Sequence, residues 1–207
     1  MHPTPAQLRA LRRGDPALAA AMRRLGAFPG FPDSHYRKRT HYEALARAVV
    51  FQQLAWKAAD TIWRRVVALT PGPRLAPPPE LLKLPEDALR GAGLSRNKML
   101  SLQDLARHVE DRSLPLRAIG RQPDQQVMEE LVAVRGIGPW AAQMFLIFKL
   151  GRLDVLPTAD LGVQEGLRRL DELEERPTPK QLEQRGAAWA PLRSVAAWYL
   201  WRLTDDD

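Results

Sequence analysis

A chain of 207 residues, 45% of them hydrophobic, can bury a real core in one or two domains, and no apolar run approaches the ~18–20 residues that a bilayer-crossing helix needs. Cysteine is absent, which excludes a disulfide framework, a thiolate-held iron–sulfur cluster and a Cys-based zinc site. The formal net charge of +7, carried mostly by Arg, favours an anionic partner such as nucleic acid, although a GC-rich coding bias raises Arg and Ala as well.

The start, MHPTPAQLRALRRGDP, lacks the apolar stretch of a secretion signal, so a reducing cytoplasm is the expected compartment. Apolar residues then recur at helical spacing: Leu8, Leu11 and Leu18 to Leu25; Leu45, Val49, Ile62, Val66 and Leu69; Leu102, Leu105 and Val109. Strand-like alternation is not sustained anywhere. Segments rich in Pro and Gly, TPGPRLAPPPE (70–80), GAGLS (91–95), PLRAIGRQPD (115–124), GRLDVLPTAD (151–160) and ERPTP (175–179), read as loops between helices. The pattern predicts an all-α fold of about eight to ten helices. The histidines, His2, His35, His41 and His108, have no metal-ligand spacing, so chemistry falls to carboxylates, hydroxyls or backbone. The run DELEERPTPKQLEQR and the terminal DDD read as solvated surface.

The most specific stretch is VRGIGPWAAQMFL, 134–146. Pro123-Asp124 opens a helix over DQQVMEELVAV, Gly136 is expected to stop it, and Pro139 suits the first turn of the next. Two glycines around Ile137 let the chain turn sharply and expose N–H groups to a phosphate, with Ile137 pointing inward. An ordinary αα-hairpin with a Gly turn fits the same residues equally well. Asp160, after Pro157-Thr158-Ala159 and before LGVQEGLRRL, sits where a helix begins, and an N-cap alone accounts for it at this stage.

LVAVRGIGPWAAQMFLIFKL resembles the helix-hairpin-helix of the HhH-GPD DNA glycosylases, and GRLDVLPTADLGV resembles the Gly/Pro-rich loop and aspartate that follow it. AVVFQQLAWKAADTIWRRV (48–66), GLSRNKMLSLQDLA (93–106) and APLRSVAAWYLWRL (190–203) are similar to further family segments, so the resemblance covers roughly 42–203. Within the superfamily the chain is most similar to the 3-methyladenine DNA glycosylase II group. Ala55 departs from the Ser or Thr that usually follows QQL, which puts a helix cap there in doubt.

The resemblance implies a two-subdomain helical fold, 1–40 with 156–207 and 41–155, with the helix-hairpin-helix at about 124–150 and an active-site cleft between the subdomains. It implies excision of 3-methyladenine and related N-alkylpurines from duplex DNA in base excision repair, leaving an abasic site, with Asp160 as the catalytic carboxylate. Trp140 stands where strand-cutting relatives carry a Schiff-base Lys, which implies a monofunctional enzyme. Trp140 and Trp201, with Met144 and Leu161, would line the base pocket, and Gln53 or Leu54 would fill the gap left in the stack. Gly136, Ile137 and Gly138 would contact DNA. The main-chain carbonyls of Val132, Val134 and Ile137 would hold a Na or K ion, with no cofactor required. Arg96 and Lys98 could add phosphate contacts, though a solvated loop accounts for them more readily, and Arg193 reads as structural, pairing with a carboxylate or capping carbonyls. The expected partner is double-stranded DNA, the expected state a monomer near the nucleoid, away from membrane. Two other readings stay open: a non-catalytic helix-hairpin-helix protein that binds damaged DNA, and a glycosylase of the same fold for another lesion.

Overall fold

The computed structural model describes residues 2–32 and 34–205. Among them every regular element is helical and no strand occurs. The chain forms α1 (Pro5–Gly14), α2 (Pro16–Leu25), α3 (Ser34–Arg37), α4 (His41–Phe51), α5 (Trp56–Val67), α6 (Pro78–Leu81), α7 (Glu86–Gly91), α8 (Arg96–Glu110), α9 (Asp124–Val132), α10 (Pro139–Met144), α11 (Leu161–Leu170), α12 (Pro179–Gly186) and α13 (Arg193–Thr204). A π-helical turn, Phe145–Lys149, follows α10. No helix is long and apolar enough to cross a membrane among the described residues. The chain divides into two compact units at 33/34 and 145/146. These limits lie earlier in the sequence than the expected 40/41 and 155/156, because α3 belongs with the central helices and the 146–155 stretch with the termini.

In the unit built from the two ends, the helix starts are written locally. Thr4 and Gln7 form a reciprocal capping box ahead of Pro5, Asp15 caps α2 ahead of Pro16, and Thr178 with Gln181 repeats the box ahead of Pro179. Proline at N1 costs nothing there, because that N–H has no intrahelical acceptor in any case. The core gathers Leu18, Met22, Val163, Leu167, Leu182, Trp189, Val195 and Leu200, all nearly sealed from solvent. Each such side chain contributes about 1.5–3 kcal/mol by leaving water. Buried Trp189 donates its indole N–H to Asp15 Oδ2 at 2.7 Å, and Tyr199 donates its hydroxyl to the Gly26 carbonyl at 2.9 Å, so neither polar atom is stranded. Helices α11 and α13 pack most intimately. A Cβ on Gly166 would collide with the Leu200 backbone, so only glycine allows this approach.

In the central unit, Thr40 and Glu43 make the capping box of α4 and Ser95 caps α8, whereas Ala55 starts α5 with no side-chain cap. Leu45, Val49, Leu81, Leu89, Leu102, Leu105, Val127 and Leu131 form its buried core. The 70–80 stretch is not wholly a loop, since its last three residues enter α6, Pro77 and Pro78 being compatible with a helix start. Helix α9 ends at Val132, earlier than expected. Gly136 does not cap it directly; it lies in the turn beyond, at φ +79°.

Candidate active site

The central unit carries the hairpin. Gly136 has two independent reasons to be glycine: its φ of +79°, and a Ser101 side chain lying where a Cβ would go. Ile137 is 4% exposed and its N–H donates to the Val134 carbonyl at 3.1 Å, so this residue serves the turn from inside. The Arg135 N–H is taken by Asp104 Oδ2 at 2.8 Å. Among the described residues Gly136 and Gly138 are exposed and their N–H groups have no such acceptor, leaving them as the donors an anion would meet. Pro139 then starts α10, with Gly138 as its cap. Trp140 in the first turn is 48% exposed, while Met144 at the end of α10 is half-buried.

The QQL loop is fastened to this hairpin. Gln52 Nε2 donates to the Gly136 carbonyl at 2.9 Å, a tie between residues 84 apart in sequence. Lys98 Nζ donates to the carbonyls of both Val50 and Gln52 at 2.7 Å, closing the end of α4. Lys98 is therefore a structural clamp, not the phosphate contact considered from the sequence; burial pushes its ammonium below the usual lysine range. Gln53 and Leu54 lie exposed at the tip, Gln53 at φ +54°. Sequence reasoning missed Gln52 as the anchor, though the doubled Gln was visible.

The unit built from the ends carries Asp160. Its Oδ1 accepts from the Val163 N–H and from the Trp201 indole N–H, each at 2.9 Å, and the residue is 9% exposed. Asp160 is thus both a helix cap and a fixed carboxylate. Trp201, expected in the pocket lining, is a hydrogen-bond donor to the carboxylate, with its ring also against Phe148 at 5.4 Å. Gly162 makes this possible, since a Cβ there would stand 2.9 Å from Trp201 Cδ1 and 3.1 Å from Asp160 Oδ1. Leu161 is 64% exposed directly beside the carboxylate.

The loop before Asp160 is strapped to α13. Arg193 makes a two-pronged ion pair with Asp154, both contacts 2.8 Å, in keeping with its expected structural role. Fully buried Ser194 accepts from the Val155 N–H at 2.8 Å and donates to the Val155 carbonyl at 3.0 Å. The segment bearing the carboxylate is consequently held at Asp154, Val155 and Asp160 by three successive contacts to one helix.

For a cation, the Val134 carbonyl already accepts one hydrogen bond, from Ile137, and keeps a second lone pair. A set of neutral carbonyls at Val132, Val134 and Ile137 has the hard-oxygen character that suits an alkali ion. No group of three His, Asp or Glu residues with metal-holding geometry occurs among the described residues.

The family model for the HhH-GPD superfamily base excision DNA repair proteins matches residues 46–191, a span that contains the hairpin and Asp160. The chain belongs to that family. Among its relatives, DNA-3-methyladenine glycosylase 1 of Schizosaccharomyces pombe is 34% identical over 174 residues, 84% of this chain and 76% of the relative. The solved structure of S. pombe 3-methyladenine DNA glycosylase Mag1 in complex with abasic DNA superposes with a TM-score of 0.83 at 32% identity, covering 96% of each chain. DNA-3-methyladenine glycosidase from Bacillus halodurans gives 0.86 at 34% identity, covering 98% of this chain and 90% of that one. A Clostridium acetobutylicum 8-oxoguanine glycosylase/lyase, 15% identical, shares the fold at a TM-score of 0.74.

Proposed function

We propose that this chain is a monofunctional DNA glycosylase that extrudes alkylated bases, 3-methyladenine and related N-alkylpurines, from duplex DNA and hydrolyses the N-glycosidic bond to leave an abasic site. The observation that carries the reading is Asp160, a carboxylate fixed by two N–H donors on a segment clamped at three points. As the C1′–N bond breaks, its electron pair leaves with the base and positive charge builds on the sugar; a fixed carboxylate stabilises that charge and orients the water whose oxygen bonds to C1′. The water's proton passes to the carboxylate or solvent. An alkylated purine is already cationic and departs without a strong general acid. Trp140 presents an exposed indole on which such an electron-poor base stacks by π and cation–π contact, with Met144 as apolar surface on the same helix. An indole there, in place of a Schiff-base Lys, supports hydrolysis without strand cleavage.

In the same reading the Gly136 and Gly138 N–H groups hold a DNA phosphate, giving register without base specificity. Gln53 or Leu54 fills the vacated space in the stack. The carbonyls of Val132, Val134 and Ile137 would hold a Na or K ion that screens the hairpin's approach to phosphate. The test is release of free bases from methylated duplex DNA, wild type beside Asp160→Asn. Asn caps a helix as well as Asp does, so this variant keeps the fold and loses only the charge. Release of 3-methyladenine by wild type, alkali-labile sites without strand cleavage, and a variant that binds but does not excise are the expected results. If both proteins bind DNA and neither releases a methylated base, the non-catalytic or other-lesion readings replace this one.

A further inference from the structure

Two large apolar side chains stand out in water where the QQL loop enters α5: Trp56 is 62% exposed and Leu54 39%. Nothing in the local fold requires an indole at position 56. Ala55 caps α5 without a side-chain bond, and Trp56 only opens its first turn. Its indole meets the Phe51 ring edge-on at 6.4 Å, and Phe51 in turn carries the Arg47 guanidinium 3.5 Å over its ring. A cation, a ring and an exposed indole thus form a row running from α4 onto the loop.

This row is continuous with the hairpin through rigid ties. Gln52 bonds the Gly136 carbonyl, and Lys98 clamps the carbonyls of Val50 and Gln52, so the loop and the proposed phosphate-holding turn form one body inside the central unit. Exposed Lys57 follows the indole directly, and the local carboxylate, Asp60, is paired with Arg64. An apolar tip rimmed by cations matches the minor groove of duplex DNA, where sugars and base edges lie between two rows of phosphates.

We infer that Trp56 is a DNA-contacting residue whose indole, together with Leu54, packs against the minor-groove face of the duplex beside the extruded nucleotide. The inference rests on the glycosylase reading above. It adds a second apolar contact outside the gap, one that favours a kinked or gapped duplex over an intact one because only unstacked steps open their sugar–base faces to a ring.

Fluorescence anisotropy with the full chain tests it, using a duplex with a central tetrahydrofuran abasic site and its undamaged counterpart, and wild type beside Trp56→Ala, Trp56→Gln and Trp56→Phe. Trp56→Ala and Trp56→Gln are expected to weaken binding to the abasic duplex about tenfold and to the undamaged duplex much less. Trp56→Phe should return to within about threefold of wild type, with the salt dependence of affinity unchanged because no phosphate contact is lost. Gln is tolerated at an exposed helical position, so its loss of binding is not a loss of folding. Equal affinity of wild type, Trp56→Ala and Trp56→Gln for the abasic duplex would overturn the inference and leave the patch facing another protein. Equal losses on both duplexes would overturn its preference for gapped DNA. Failure of wild type itself to bind either duplex would remove the glycosylase reading along with it.

Discussion

Trp201 and Asp160, 41 residues apart, share a 2.9 Å hydrogen bond from the indole N–H to Oδ1, the same oxygen that caps α11. A hydrogen bond to a charged acceptor is worth about 1.5–3 kcal/mol. Trp201→Phe keeps a ring and removes the donor. Its single-turnover excision rate is expected to fall about tenfold or more, while affinity for abasic duplex stays within about threefold. Loss of binding in step with the rate would instead assign Trp201 to the binding surface.

Gly136→Ala should damage both fold and function. The alanine must adopt φ +79° and displace Ser101, at a combined cost of about 1–3 kcal/mol. Denaturant unfolding should show that loss, and duplex affinity should fall at least tenfold as the exposed N–H groups tilt. Ser101→Ala alone should leave affinity near wild type, because the Ser101 hydroxyl donates to Asn97 in its own helix.

Ser194→Ala tests the strap before the carboxylate. The change leaves the Val155 N–H without its hydroxyl acceptor inside the protein, which costs about 1–3 kcal/mol. A thermal-unfolding midpoint lower by several degrees is expected, with excision reduced more than DNA affinity. Unchanged excision would show that the Arg193–Asp154 and Trp201–Asp160 contacts fix the loop without Ser194.

Acid stability should report on Asp15. Burial favours its neutral form, but the Leu18 N–H, the Trp189 indole and Arg185 outweigh that, so its pKa lies below the usual 3.8. A carboxyl with a depressed folded-state pKa contributes stability that is complete above its unfolded value and lost as pH falls through the folded one. Asp15→Asn should therefore be less stable than wild type near neutrality, with the gap closing below about pH 4. A gap independent of pH would place the effect in packing rather than charge.

The local parts of the site were readable from the sequence and the distant parts were not. Gly136, Gly138 and Pro139 announce a turn and a helix start within four residues, and the Pro-Thr-Ala-Asp run announces a cap at Asp160. The Gln52–Gly136 tie, the Lys98 clamp and the Trp201–Asp160 bond join residues 84, 46 to 48 and 41 apart, and no periodicity encodes which donor meets which acceptor. Gly136 was misplaced as the end of α9 for a related reason. A glycine signals left-handed backbone, but whether that falls at a helix end or in the following turn depends on Ser101, which lies on another helix.

The close seat of α11 on α13 at Gly166 has a consequence for how this protein can change over time. Because main chain meets main chain there, the distance of Asp160 from α13 is set by covalent backbone dimensions and not by the sizes of the side chains around it. Apolar residues elsewhere in that core can be exchanged for others of similar volume without re-aiming the carboxylate. Sequence drift in the interior is thereby uncoupled from the geometry of bond cleavage, and the constraint is concentrated on two glycines a single helical turn apart.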